Sequence, residues 1–222
     1  GLVSDDTKLS WLGFGTMNGK DGKPFKTRDG GVMRLENLIK EINDEMYQKI
    51  MDNHEIDPEE AKETARIVGL AAIKYGDLSN QASKDYVFDI DRFTSFEGNT
   101  GPYILYTIVR IKSILNKYQA SGEDSQAGQI GVAANASEKA LMLELSKFNS
   151  VMEGAFEEMA PHKICSYIYD LSNAFNRFYH ETKILSEEDA QQKASWIKLL
   201  VLTRDVLESC IGVLGFDAPE RM

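Results

Sequence analysis

Two apolar stripes at helical spacing constrain this chain more than any other feature. Ile104, Ile108, Ile111 and Leu115 recur at intervals of 4, 3 and 4, and Ile164, Ile168, Leu171, Phe175 and Phe178 at 4, 3, 4 and 3. That rhythm matches 3.6 residues per turn and gives each segment one apolar face. Such a face must be buried against a neighbour, so the C-terminal half is expected to be a helical bundle. The 222 residues leave room for one large or two small domains. No run approaches the roughly 18 apolar residues of a membrane span.

The rest of the chain divides around these stripes. Leu9 to Phe14 reads as a short strand with Trp11 as its apolar anchor. Gly13, Gly15, Gly19, Gly22, Pro24, Gly30 and Gly31 make the next stretch a loop. Met33, Leu35, Leu38, Ile39, Ile42, Met46 and Ile50 predict a helix over 33–52. Asp57 and Pro58 supply an N-cap acceptor and a proline at the first helical position, opening a helix expected to stop near Gly76. Residues 84–98 are ambiguous, compatible with a strand at Tyr86 and Phe88 and then a helical turn. A long helix is expected from near Pro102, and the Gly/Ser/Ala-rich residues 121–134 as a mobile surface connection. Ser137 and Glu138 open a second long helix through Leu141, Leu145, Phe148, Met152 and Phe156. Pro161 opens a third, and a last one runs from Ser186 to about Leu214, where Gly215 caps it.

Charge is uneven along this plan. The chain carries 25 basic and 35 acidic residues, net −10, which at first argues against a nucleic-acid partner. By zone, residues 1–30 are +1, 31–98 are −7 and 99–222 are −4. Residues 99–120 hold Arg110, Lys112 and Lys117 and no acid, so the bulk figure hides a local basic stretch. Cys165 and Cys210 sit in apolar helical patterns, which favours buried thiols over a disulfide.

Three segments carry candidate chemistry. The loop 15–30 holds Lys20, Lys23, Lys26 and Arg28, four cations in nine residues among glycines. That suits an element closing over phosphates, although it fits neither the Walker nor the Rossmann pattern, and a solvated turn has the same composition. Tyr103, Tyr106, Arg110 and Lys117 line a face beside the apolar one, suited to unstacked bases and phosphates or to half-buried rings and solvated cations. Tyr169, Asn173, Asn176 and His180, spaced 4, 3 and 4, form a polar stripe that suits base edges or plain solvation. The histidines His54, His162 and His180 are scattered, without metal-ligand spacing. No Ser-His-Asp arrangement supports hydrolysis.

Longer strings carry a resemblance. Gly13-Phe14-Gly15-Thr16-Met17 through Lys23-Pro24-Phe25-Lys26-Thr27-Arg28, then Val32-Met33-Arg34-Leu35, resembles the signature loop of arginyl-tRNA synthetases. Phe96-Glu97-Gly98-Asn99-Thr100-Gly101-Pro102-Tyr103, with Tyr106, Arg110 and Ile114, is similar to the segment entering that family's anticodon-binding domain. Ala174-Phe175-Asn176-Arg177-Phe178-Tyr179 and the tail Leu214 to Met222 match again. The resemblance implies a mainly α chain, a helical-bundle anticodon-binding domain preceded by the end of a class I Rossmann-type catalytic domain. The implied boundaries are 1–30 for the end of the catalytic domain, 31–98 for a connecting helical region and 99–222 for the anticodon-binding domain.

The resemblance further implies an enzyme that activates arginine with ATP and Mg2+ and esterifies tRNA(Arg). Its loop stands in for the KMSKS motif of the class, and both Pro24 to Arg28 and Lys23 to Thr27 can be laid over that pentapeptide. Lys26 and Arg28 are implied as the catalytic cations near the ATP phosphates. The backbone of Gly13, Phe14 and Gly15, together with Lys23, is implied at the nucleotide. Tyr103, Tyr106, Arg110, Lys117, Tyr169, Asn173, Asn176 and the C-terminal Met222 are implied tRNA contacts. No bound structural metal and no membrane association are expected, the location is cytoplasmic, and the resemblance leans towards a monomer. The chain lacks a HIGH motif and begins at Gly1, so it reads as the C-terminal portion of the enzyme, inactive alone. Two other readings compete: a helical protein-interaction scaffold without an RNA role, and the helical domain of another class I synthetase such as the cysteinyl enzyme.

Overall fold

The computed structural model describes residues 3–4, 6–24, 34–53, 56–122 and 128–222, so Lys26, Arg28 and Met33 lie outside the described residues. Within them the chain forms β1 (Met17–Asn18), α1 (Leu35–Asn53), α2 (Pro58–Leu78), β2 (Tyr86–Val87), α3 (Ile90–Phe93), α4 (Gly101–Ala120), α5 (Ala136–Ser146), α6 (Phe148–Glu157), α7 (Pro161–Glu181) and α8 (Ala190–Leu214). The mainly helical fold expected from the stripes is what forms.

Local signals account for several helix ends. Asp57 Oδ1 accepts from the amides of Glu59 and Glu60 at 3.0 and 3.3 Å and starts α2. Thr100 Oγ1 accepts from the Tyr103 amide at 3.3 Å and starts α4. Gly215 ends α8 at φ 81°, a left-handed conformation that favours glycine.

Packing then joins the helices around one core. α1 and α2 form an antiparallel pair, and α2 lies against α4 so closely that a Cβ on Gly101 would stand 2.4 Å from the Ala71 carbonyl oxygen. Tyr75 is fully buried, its hydroxyl 2.5 Å from Asn99 Oδ1 and 2.8 Å from the Cys165 carbonyl. One side chain of α2 therefore ties the approach to α4 onto α7, and burial pushes its ionisation far above the ordinary tyrosine range. α4 packs on both α7 and α8, while α5 and α6 cover α7. Every member of both stripes is buried, including Ile168, Leu171, Phe175 and Phe178 at 0% exposure. Cys165 and Cys210 are buried free thiols, and burial pushes each up to about 12.

Four expectations need correction. Residues 9–14 form no strand, and Trp11 is 89% exposed. A strand needs a neighbour for its amides, and the available neighbour, residues 82–88, is taken by Gly15 to Asn18. The single helix expected through Phe156 is broken at Lys147 into α5 and α6. The break turns Ala155 inward and leaves Phe156 85% exposed. The last helix starts at Ala190, after a 3-10 turn at Ile184–Ser186, because Asp189 caps the amides of Gln191 and Gln192. Finally, of the connection expected over 121–134, residues 123–127 lie outside the described residues, and 128–134 are not free surface chain: the Gly131 amide donates to Ser195 Oγ at 2.9 Å and the Ala134 amide to Glu138 Oε2 at 2.7 Å.

The two phenylalanines separate core from surface experimentally. Phe175→Ala should cost about 3–5 kcal/mol in urea unfolding. Phe156→Ala should change stability by no more than about 0.5 kcal/mol.

Candidate nucleic-acid interface

The candidate residues of α4 and α7 come together because the two helices run in parallel with their turns in step. The Tyr103 ring meets Tyr169 edge-on with centroids 5.7 Å apart. Tyr103 Oη donates to Asn173 Oδ1 at 2.7 Å and accepts from Asn176 Nδ2 at 2.9 Å. Asn176 Nδ2 also reaches Thr107 Oγ1 at 3.3 Å. Two turns along, Arg110 Nη1 donates to Asn176 Oδ1 at 2.7 Å. The Arg110 guanidinium lies 4.6 Å from the Tyr106 ring centre and 5.2 Å from that of Tyr179.

This arrangement has a chemical character. Two aromatic faces and one amide oxygen orient the guanidinium, while Nε and Nη2 have no partner among the described residues. Those free donors can meet a phosphate or a base edge in a geometry already set. Tyr106 and Tyr179 are 40% and 37% exposed, enough ring face to stack on a base. Asn173 is exposed beside them and offers its amide nitrogen.

Of the eight tRNA contacts implied by the sequence, six share this cluster: Tyr103, Tyr106, Arg110, Tyr169, Asn173 and Asn176. Lys117 is exposed in the last turn of α4, two turns beyond Arg110 and outside the cluster. Met222 packs against the core, and its neighbours Arg221 and Glu220 pair with Glu60 and Lys112. Tyr179 was not among the expected site residues. Its position three after Asn176 was the available signal, and the adjacent Phe178 masked it as part of the apolar stripe. Lys112 is withdrawn from the basic stretch by Glu208 and Glu220 at 3.0 and 2.8 Å. Arg110 and Lys117 remain as its cations without a carboxylate partner among the described residues.

The loop implied at the nucleotide lies elsewhere. β1 pairs in parallel with β2, Met17 opposite Tyr86 and Asn18 opposite Val87. The Gly15 amide donates to the Ala82 carbonyl at 2.8 Å, and a Cβ there would stand 2.3 Å from the Lys84 carbonyl, so only glycine fits. Thr16 N donates to Asp85 Oδ1 at 2.7 Å, which together with the Thr16 side chain holds that carboxyl below its usual range. Gly13 is half-buried beside the Trp11 ring, and Phe14 is 87% exposed. Lys23 is exposed and makes no ion pair among the described residues. Lys20 is different: its ammonium sits between Asp91 and Asp89 at 2.7 and 3.1 Å, and hydrogen bonding to them raises its pKa. Among the described residues no group of three or more His, Cys, Asp or Glu gathers as metal ligands. No described helix is long and apolar enough to cross a membrane.

Known proteins match this arrangement from end to end. The family model of the DALR anticodon binding domain matches residues 104–222, and that of the class I (R) tRNA synthetase catalytic domain matches residues 1–90. The arginine–tRNA ligase of Agathobacter rectalis is 67% identical and that of Alkaliphilus oremlandii 60% identical, each match covering 100% of this chain and 38% of the relative. The chain thus spans under two fifths of the length of these relatives. Among solved structures, the arginyl-tRNA synthetase of Thermus thermophilus has a TM-score of 0.81 at 28% identity, covering 95% of this chain and 35% of that one. The Plasmodium falciparum enzyme has a TM-score of 0.74 at 28% identity, covering 86% and 34%. The chain belongs to the DALR anticodon binding domain family over residues 104–222, and along its whole length it is similar to the C-terminal portion of arginine–tRNA ligases.

Proposed function

We propose that this chain serves as the C-terminal part of an arginine–tRNA ligase and binds the anticodon region of tRNA(Arg) through the α4–α7 cluster. The observation that carries this reading is the Arg110 guanidinium held between Tyr106 and Tyr179 and bonded to Asn176. Sequence-specific RNA readers act on single-stranded loops, stacking bases on aromatic rings and reading their edges with amides. The stacking faces here are Tyr106 and Tyr179, the edge readers Asn173 and Arg110, with Tyr103, Tyr169 and Asn176 positioning them. Lys117 is assigned to a backbone phosphate further along α4. Met222 is assigned to the margin of the same RNA surface.

In the longer protein, residues 1–30 would end the catalytic domain, 31–98 connect the two, and 99–222 form the anticodon-binding domain. Lys26 and Arg28 are proposed to neutralise the ATP phosphates, with Gly13, Phe14, Gly15 and Lys23 beside the nucleotide. The exposed Phe14, and Lys23 with no ion pair among the described residues, support that placement. Mg2+ would arrive with ATP, and arginine would bind outside this chain. The protein is proposed to be cytoplasmic and monomeric, and this chain alone to be inactive in adenylate formation.

Binding of an anticodon stem-loop with an arginine anticodon, read by fluorescence anisotropy, tests the interface. Arg110→Ala should weaken it about ten- to hundredfold without loss of helicity. Lys62→Ala, which removes an ammonium already paired with Glu59 on α2, should leave it unchanged. Equal effects from both variants would refute the assignment. Separately, the chain should show no arginine-dependent exchange of pyrophosphate into ATP, and measurable exchange would overturn the division of labour proposed here.

A further inference from the structure

The pairing of β1 with β2 is only two residues long, too short to hold a register by its own hydrogen bonds. Its register nevertheless has a consequence beyond its end. Asn18 stands opposite Val87, and in a parallel pair both chains advance together, so residue 20 is carried towards residue 89. Lys20 is the residue that meets Asp89 there, and Asp91 closes on it from the other side.

The receiving side of this contact is rigid. Asp89 is the N-cap of α3 and accepts from the amide of Asp91 at 3.1 Å. α3 is seated on α2 through Phe93, which lies so close to Gly76 that a Cβ there would stand 2.4 Å from the ring. Phe88 meets Phe93 edge-on with centroids 4.8 Å apart. On the loop side, a tight turn presents the lysine. The Gly19 amide donates to the Lys23 carbonyl at 2.9 Å, the Gly22 amide to the Gly19 carbonyl at 2.8 Å, and Gly22 takes φ 73°.

We infer that Lys20 is a positioning residue, an ionic pin that fixes the register of the turn from Gly19 to Lys23 on α3 and so sets where Lys23 stands. Lys20 is thereby an anchor and not one of the phosphate-facing cations. The inference concerns the loop's attachment and does not require that the loop meet ATP, so it stands or falls apart from the function proposed above.

Amide hydrogen exchange on the 222-residue chain tests it. The Phe88 amide, which donates to the Asn18 carbonyl at 2.8 Å, reports the pinned end, and the Gly15 amide, held by Ala82, reports the upstream end. Lys20→Gln should speed exchange at Phe88 about two- to fivefold and leave Gly15 unchanged, because an exposed ion pair contributes modestly. Lys20→Arg should restore protection, Asp91→Asn should act like Lys20→Gln, and molar salt should abolish the difference between wild type and Lys20→Gln. Unchanged exchange at Phe88 in Lys20→Gln, or failure of Lys20→Arg to restore it, would overturn the pin.

Discussion

The parallel packing of α4 on α7, turn for turn, is the constraint on which the candidate interface depends. Tyr103, Thr107 and Arg110 occupy successive turns of one helix, and Tyr169, Asn173, Asn176 and Tyr179 those of the other. A slip of one turn, about 5.4 Å, would carry Arg110 away from Asn176 and out from between the two rings. What prevents the slip is the pair of apolar stripes, each buried residue contributing about 1.5–3 kcal/mol, and the Tyr75 hydroxyl bridging the approach to α4 and the first turns of α7. Chemistry and packing are thus two sides of the same helices. The buried sides hold the register, and the polar sides use it.

Much of this was legible in the residues themselves. Apolar spacing identified the helices, and Asp57, Pro58 and Gly215 marked their ends, because these signals act within a turn or two of the chain. The polar stripes were legible for the same reason, and six residues named on those stripes do converge. What escaped is tertiary. Nothing local announces that Lys147 breaks a helix, since the apolar run through Phe156 is continuous. Trp11 looked like a strand anchor because its neighbours have strand composition, but a strand exists only with a partner. Tyr179 was hidden by its neighbour Phe178, and the fork of Asp89 and Asp91 around Lys20 joins residues far apart along the chain.

Net charge shows a similar separation of scales. A chain at −10 should repel nucleic acid on average, yet most of the excess lies in residues 31–98, on the segment that precedes α4. Even the local basic stretch proved narrower than its composition, because Lys112 is neutralised by Glu208 and Glu220. Recognition that relies on oriented stacking and amide contacts needs few free cations, and an acidic surround limits non-specific binding. The proposed interface is accordingly small, with one oriented arginine at its centre.

Chemical probing of base accessibility across a complete tRNA bearing an arginine anticodon, with and without the chain, tests the proposed interface most directly. Protection confined to the anticodon loop, and lost in Arg110→Ala, is the expected result. Unaltered reactivity of the anticodon loop, or protection confined to the acceptor stem, would contradict it.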